Sequence, residues 1–121
     1  MKFARWVFGI AGAYGLIVLL PQYFMEGMIS AQNPPAITHP EYFYGFVGLA
    51  VAWQVVFLVI ARDPVRYRLL MLPSILEKLA FAVPGLVLFL QHRIATQVFA
   101  FSMVDLVLGV LFVAGFVVTK Q

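Results

Sequence analysis

Ala61-Arg62-Asp63-Pro64-Val65-Arg66-Tyr67-Arg68-Leu69-Leu70-Met71-Leu72-Pro73-Ser74-Ile75-Leu76-Glu77-Lys78 begins as a tight basic turn between two long apolar runs. It then sets an acid beside a base, Glu77 and Lys78, well inside the second run. The basic turn is an orientation signal, and the buried pair is the clearest pointer to a functional layer. The composition around it fixes the class. Of 121 residues, 64% are hydrophobic and only 11% charged, which lies outside the soluble globular range and marks one integral membrane domain.

Upstream of the turn, Tyr42 to Ala61 is uncharged, opens with Tyr42 and Tyr44 at the outer headgroup level, and holds Trp53 and Gln54 inside. Downstream, Leu69 to Leu90 carries Glu77 and Lys78 and two prolines, Pro73 and Pro84, which are expected to bend it. Gln91 to Arg93 form a second turn, and Ile94 to Val118 is a last run with Asp105 near its middle. At the other end of the chain, Trp6 to Met25 has no charge and is long enough to cross a hydrocarbon core. Gly9, Gly12 and Gly15 give it a face for close helix packing. Spans of about 4–25, 42–61, 69–90 and 94–118 predict an all-α, integral membrane four-helix bundle.

Four crossings return both termini to one side. Lys2, Arg5, Arg62, Arg66, Arg68 and Lys120 then fall together, opposite a lone Arg93, so both termini are expected to be cytoplasmic. Lys2 and Arg5 also fit the n-region of a signal peptide with a poor cleavage site at Ile29-Ser30-Ala31. The apolar run exceeds a usual h-region, and it is read as a retained anchor. The net charge of +3 is thereby used up in topology, and no nucleic-acid partner is expected. Arg62, Arg66 and Arg68 could meet anionic lipid head groups, with Asp63 capping the turn. The absence of cysteine excludes disulfides, thiolate catalysis and cysteine metal sites. The two histidines make no metal motif, and no cofactor motif is present. Pro21 to Glu41 is the long outer connection, where Glu26, His39 and Glu41 are candidates for a polar cluster at the mouth of a cavity.

From the rise per residue, Gln54, Glu77 and Asp105 lie roughly 18, 20 and 16 Å from the outer helix ends, close to one layer. Ionisable groups at such depth are expensive and commonly mark function. Ser74, Lys78, Ala82 and Gly85 form one stripe at helical spacing, and Ser102, Asp105 and Gly109 another. Lys78 is therefore expected to pair with Asp105, leaving Glu77 to Gln54 or to water. A polar clasp that fixes register, a cavity for a polar-headed apolar ligand, a proton or ion path, and carboxylate acid–base chemistry all remain open.

Tyr44-Gly45-Phe46, Trp53-Gln54, Arg62-Asp63-Pro64, Arg66-Tyr67-Arg68 and Glu77-Lys78 resemble small bacterial inner-membrane proteins to which no activity is attached. The likeness covers most of the chain from Tyr42 onward and implies the bacterial inner membrane as location. More distantly, the architecture is similar to DoxX-like proteins and to the sterol-isomerase and sigma-2-receptor domain, where membrane carboxylates line a ligand cavity. That likeness has no residue-by-residue motif, and this chain has no membrane-embedded histidine. Small multidrug transporters are similar in size but carry an acid in the first span, which is uncharged here. The reading favoured is a non-enzymatic membrane protein. Its polar layer of Gln54, Glu77, Lys78 and Asp105 would bind a lipid-like molecule or a partner's membrane helix. The alternative is a membrane enzyme or proton-coupled transporter using Glu77 and Asp105.

Overall fold

The uncharged runs fold as helices because in a chain so apolar the backbone must satisfy its own hydrogen bonds. The computed structural model describes residues 2–32 and 36–119. Asn33 to Pro35 of the outer connection and Lys120 of the basic set lie outside the described residues. Helix α1 (Lys2–Leu19) passes at Pro21 into a tighter turn, Leu20–Phe24, and a short α2 (Glu26–Gln32) follows. Helix α3 (Pro40–Arg62) starts on a proline, whose fixed φ and missing N–H suit a first turn. Helix α4 (Met71–Leu90) follows a single tight turn at Arg68–Leu70, and α5 is Thr96–Val118. No strand occurs among the described residues. With their flanking turns, four helices are long and apolar enough to cross a membrane: Lys2–Phe24, Pro40–Arg62, Arg68–Leu90 and Thr96–Val118.

Two local expectations shift. Pro73 falls in the first turn of α4, where its lost N–H had no helical partner anyway, so only Pro84 interrupts the helix interior. The last helix begins at Thr96 rather than Ile94, because the turn before it is longer than Gln91 to Arg93. There His92 takes a left-handed φ of 58°. The His92 and Arg93 N–H groups donate to the Phe89 and Leu88 carbonyls, closing the end of α4. Asp63 caps its own turn as its position suggests, its Oδ1 accepting from the Arg66 N–H at 3.2 Å.

The bundle is built as two close pairs, α1 with α3 and α4 with α5, joined mainly where α1 crosses α5. Helices α3 and α4 touch far less. The glycines of α1 set the first pair. A Cβ on Gly12 would stand 2.8 Å from Leu58 Cγ and 2.9 Å from the Gln54 carbonyl oxygen, so any larger residue would push α3 away. Gly85 and Gly109 set the second pair: the Gly85 Cα faces Ser102, and a Cβ on Gly109 would meet Lys78 Cβ at 3.4 Å.

The core lies at one end. Phe8 stacks on Phe112 at 4.1 Å, and Phe57 meets both edge-on at 6.2 and 4.9 Å. Ala4, Ala11, Ile60 and Met71 complete this dry cluster. The first turn of α1, the last turns of α5 and the Arg62–Arg68 turn share that end of the bundle. Ala4 lies beside Gly115, and Arg68 donates from Nε and Nη2 to the Phe116 carbonyl oxygen at 3.1 and 2.9 Å. Outside, Trp6, Ile17, Leu49, Leu76 and Val110 are all exposed. A water-facing surface of that kind would be an aggregation hazard, whereas against lipid tails it is the expected covering.

Candidate functional site

The inward face of α4 is Met71, Ser74, Lys78, Ala82 and Gly85, all buried. This face is small and semi-polar except for one cation. Ser74 Oγ donates to the Leu70 carbonyl at 2.7 Å and Ser102 Oγ to the Val98 carbonyl at 3.2 Å, so both hydroxyls are spent on their own helices. Their small side chains instead let α4 and α5 close together, which carries Lys78 across to Asp105. Lys78 is only 4% exposed. Its Nζ stands 3.4 Å from Asp105 Oδ1, 3.7 Å from Glu77 Oε2 and 5.0 Å from the centre of the Phe57 ring. Glu77 and Lys78 leave the helix about 100° apart, but the flexible lysine stem reaches back to its neighbour.

Gln54 comes to the same place from α3, at 2% exposure. Its Nε2 donates to the Ala50 carbonyl at 2.8 Å, and its amide lies against the bare Cα of Gly15. Of the two alternatives for Glu77, Gln54 or water, the hydrogen bond to Gln54 is not formed. One amide N–H goes to the Ala50 carbonyl of its own helix instead. Gln54 Oε1 and Glu77 Oε2 are therefore buried without a hydrogen-bond partner.

Above this layer the four long helices leave a cavity of about 210 Å³, open on one side. Its inner end is Gln54, Glu77, Lys78 and Asp105, and its walls are apolar, with Phe46, Phe81, Val98 and Phe101 prominent. Phe46 and Phe81 lean towards each other across the thin α3–α4 contact at 6.0 Å. Below the layer, the Phe8, Phe57 and Phe112 rings close the bundle towards the basic end. The molecule is hollow on one side of its polar layer and solid on the other.

Helix α1 and the turn after it add Gly15, which the sequence reading assigned to packing, and Tyr14, Val18 and Gln22, which it did not single out; all four line the cavity. A signal was present. Tyr14, Val18 and Gln22 recur every four residues and put a hydroxyl and an amide on one face. The other lining residues have no such signature, since a phenylalanine beside a cavity looks like one beside lipid.

The three outer residues do not form one cluster through direct hydrogen bonds. Tyr44 Oη donates to Glu26 Oε1 at 3.0 Å and Tyr44 stacks with Tyr23, tying α2 to α3. His39 and Glu41 instead pair with each other at 3.1 Å, both largely exposed, with the imidazole stacked on Tyr42. At the opposite end Arg68 is committed to the Phe116 carbonyl near the end of α5 and to the Phe116 ring 3.7 Å away. Arg66 lies over Tyr67 at 5.4 Å.

Chemically, the cavity lining offers two carboxyl groups, one ammonium, two amides and a single phenol, with no thiol, imidazole or aliphatic hydroxyl. Among the described residues no three histidine or acidic side chains gather in a way that could hold a metal ion. The arrangement suits recognition of a polar head beneath an apolar body. Comparison with protein-family models, with curated proteins and with solved structures gives no match to this chain.

Proposed function

We propose that this chain is a non-enzymatic protein of the bacterial inner membrane that holds a lipid-like small molecule in its intramembrane cavity. The polar head rests on Gln54, Glu77, Lys78 and Asp105, and both termini face the cytoplasm with the basic turn. One observation carries the reading: a cavity bounded by all four long helices ends on a layer where two buried acceptors have no hydrogen-bond partner. A clasp evolved only for stability would gain by satisfying both, because a buried polar group without a hydrogen bond is costly.

The same geometry weighs against translocation. Any path from the layer to the basic end would have to cross the packed rings of Phe8, Phe57 and Phe112. Acid–base catalysis by Glu77 and Asp105 would require two carboxyls held in different environments, whereas a single lysine lies between them.

Native mass spectrometry in mild detergent tests the proposal on wild type, Glu77→Gln and Asp105→Asn. Wild type is expected to carry a small-molecule adduct that both variants lose. A wild type with no adduct, alongside variants that only lose stability, would make the layer a structural clasp.

A further inference from the structure

Taking the cavity as a binding site, as proposed above, its inner end has a chemical bias that the apolar walls lack. Both glutamines of the lining spend one amide N–H on their own helices: Gln54 Nε2 donates to the Ala50 carbonyl at 2.8 Å and Gln22 Nε2 to the Val18 carbonyl at 3.3 Å. A carbonyl can only accept, so this fixes the amide orientation and leaves each oxygen, beside one remaining N–H, to a guest. The deeper oxygen, Gln54 Oε1, is buried and unpartnered. So is Glu77 Oε2, to which Lys78 stands at 3.7 Å, an ionic contact without a hydrogen bond. Lys78 lies between the two carboxyls, 3.4 Å from Asp105 and 3.7 Å from Glu77, and its one charge balances only one of them. The buried atoms left without a hydrogen bond here are both acceptors, and carboxyl groups outnumber cations by two to one.

We propose that the inner end of the cavity selects a primary ammonium head carried on an apolar body. Such a head supplies what the layer is short of: several N–H donors for Gln54 Oε1 and Glu77 Oε2, and one positive charge to balance the second carboxyl. An alcohol brings one donor and no charge. A trimethylammonium brings the charge and no donor, and a carboxylate adds a third anionic group where there is one lysine. Size narrows the guest further. A volume of about 210 Å³ matches about seven waters at their liquid share of ~30 Å³ each and falls below the ~300 Å³ lower bound of ordinary drug-sized pockets. The cavity takes the head and a short length of chain, with the remainder of a longer tail left among the lipids.

The test is a competition series of octylamine, octanol, octyltrimethylammonium and octanoate at equal free concentration. Wild-type protein in nonionic detergent is read by native mass spectrometry. Octylamine is expected to bind about tenfold more tightly than octanol or the quaternary amine, the scale of a charge-assisted hydrogen bond, with octanoate weakest. Glu77→Gln is expected to retain octanol and bring the amine-to-alcohol ratio close to one. Gln54→Leu, which removes the other acceptor without adding a polar group, should lower the same ratio. Short-chain phosphatidylethanolamine displacing octylamine would place the ammonium on a lipid head, and its failure to do so would place it on a free amine. Octanol, octanoate or the quaternary amine binding as tightly as octylamine would overturn the proposal while leaving the cavity reading intact. Binding of none of the four would overturn the cavity reading itself.

Discussion

Lys78 of α4 and Asp105 of α5 meet with Nζ 3.4 Å from Oδ1, at the depth where the packed half of the bundle gives way to the hollow half. That position makes the pair both a strut between two helices and the floor of a cavity. Its strength decides which role dominates. Breaking a buried pair in a soluble protein costs roughly 3–5 kcal/mol. Polar contacts between membrane helices are worth only about 1–2 kcal/mol, because the separated helices also find partners, and the 3.4 Å contact is long. Asp105→Asn is therefore expected to lower unfolding stability in detergent by about 1–2 kcal/mol without abolishing the fold. Lys78→Met combined with Asp105→Asn should cost less than the sum of the two single changes.

Gly15 and Gln54 form a lock of a different kind. The Gln54 amide occupies the space a Cβ on Gly15 would need. Gly15→Ala is expected to destabilise by about 1–3 kcal/mol through overpacking, and Gln54→Ala should rescue it in the double variant. Gly45 is the control. Nothing lies within 4 Å of the Cβ position there, so Gly45→Ala should be neutral or slightly stabilising. Thermal unfolding followed by circular dichroism separates these outcomes.

The two faces of α1 should respond oppositely to truncation. Phe8 is 0% exposed and stacked on Phe112, whereas Trp6 is 67% exposed. Phe8→Ala is expected to cost about 3–5 kcal/mol by opening a cavity in the aromatic plug. Trp6→Ala should stay within about 0.5 kcal/mol, as an outward substitution away from any buried feature. Equal losses at the two positions would mean that α1 does not pack as described.

Orientation is testable because the chain has no cysteine of its own. Single substitutions Asp63→Cys and Gln91→Cys mark the two ends of α3 and α4. In intact cells an impermeant maleimide is expected to label position 91 and to reach position 63 only after lysis. The reverse pattern would put the termini outside.

Much of the architecture is readable from the chain because membrane helices announce themselves by uncharged length. The inward face of α4 is equally readable, since Ser74, Lys78, Ala82 and Gly85 share a helical period, and the Lys78–Asp105 contact follows once α5 presents its own small-residue face. What is not readable depends on differences too small or too local for a pattern. The cavity is the volume left after side chains pack, a quantity no single residue carries. Gln54 turns to Ala50 instead of Glu77 because a carbonyl four residues back is always within reach. Glu26 finds Tyr44 because α2 starts beside the Leu20–Phe24 turn, which packs on α3, and the prolines of that connection reveal only that a continuous helix stops. Arg68 looks like a headgroup contact in the sequence, and only the meeting of its turn with the end of α5 gives it the Phe116 carbonyl.

On the proposed function, a guest occupies the cavity above the Lys78 layer. Photolabelling wild-type protein in lipid nanodiscs with an octyl amine bearing a diazirine midway along its chain, followed by peptide mapping, tests this occupancy. Labels are expected on Tyr14, Val18, Phe46, Phe81 and Phe101, which line the cavity, and should fade under excess unlabelled octylamine. Labels confined to outward, exposed positions such as Ile17, Leu49 and Leu76, with no competition, would contradict it.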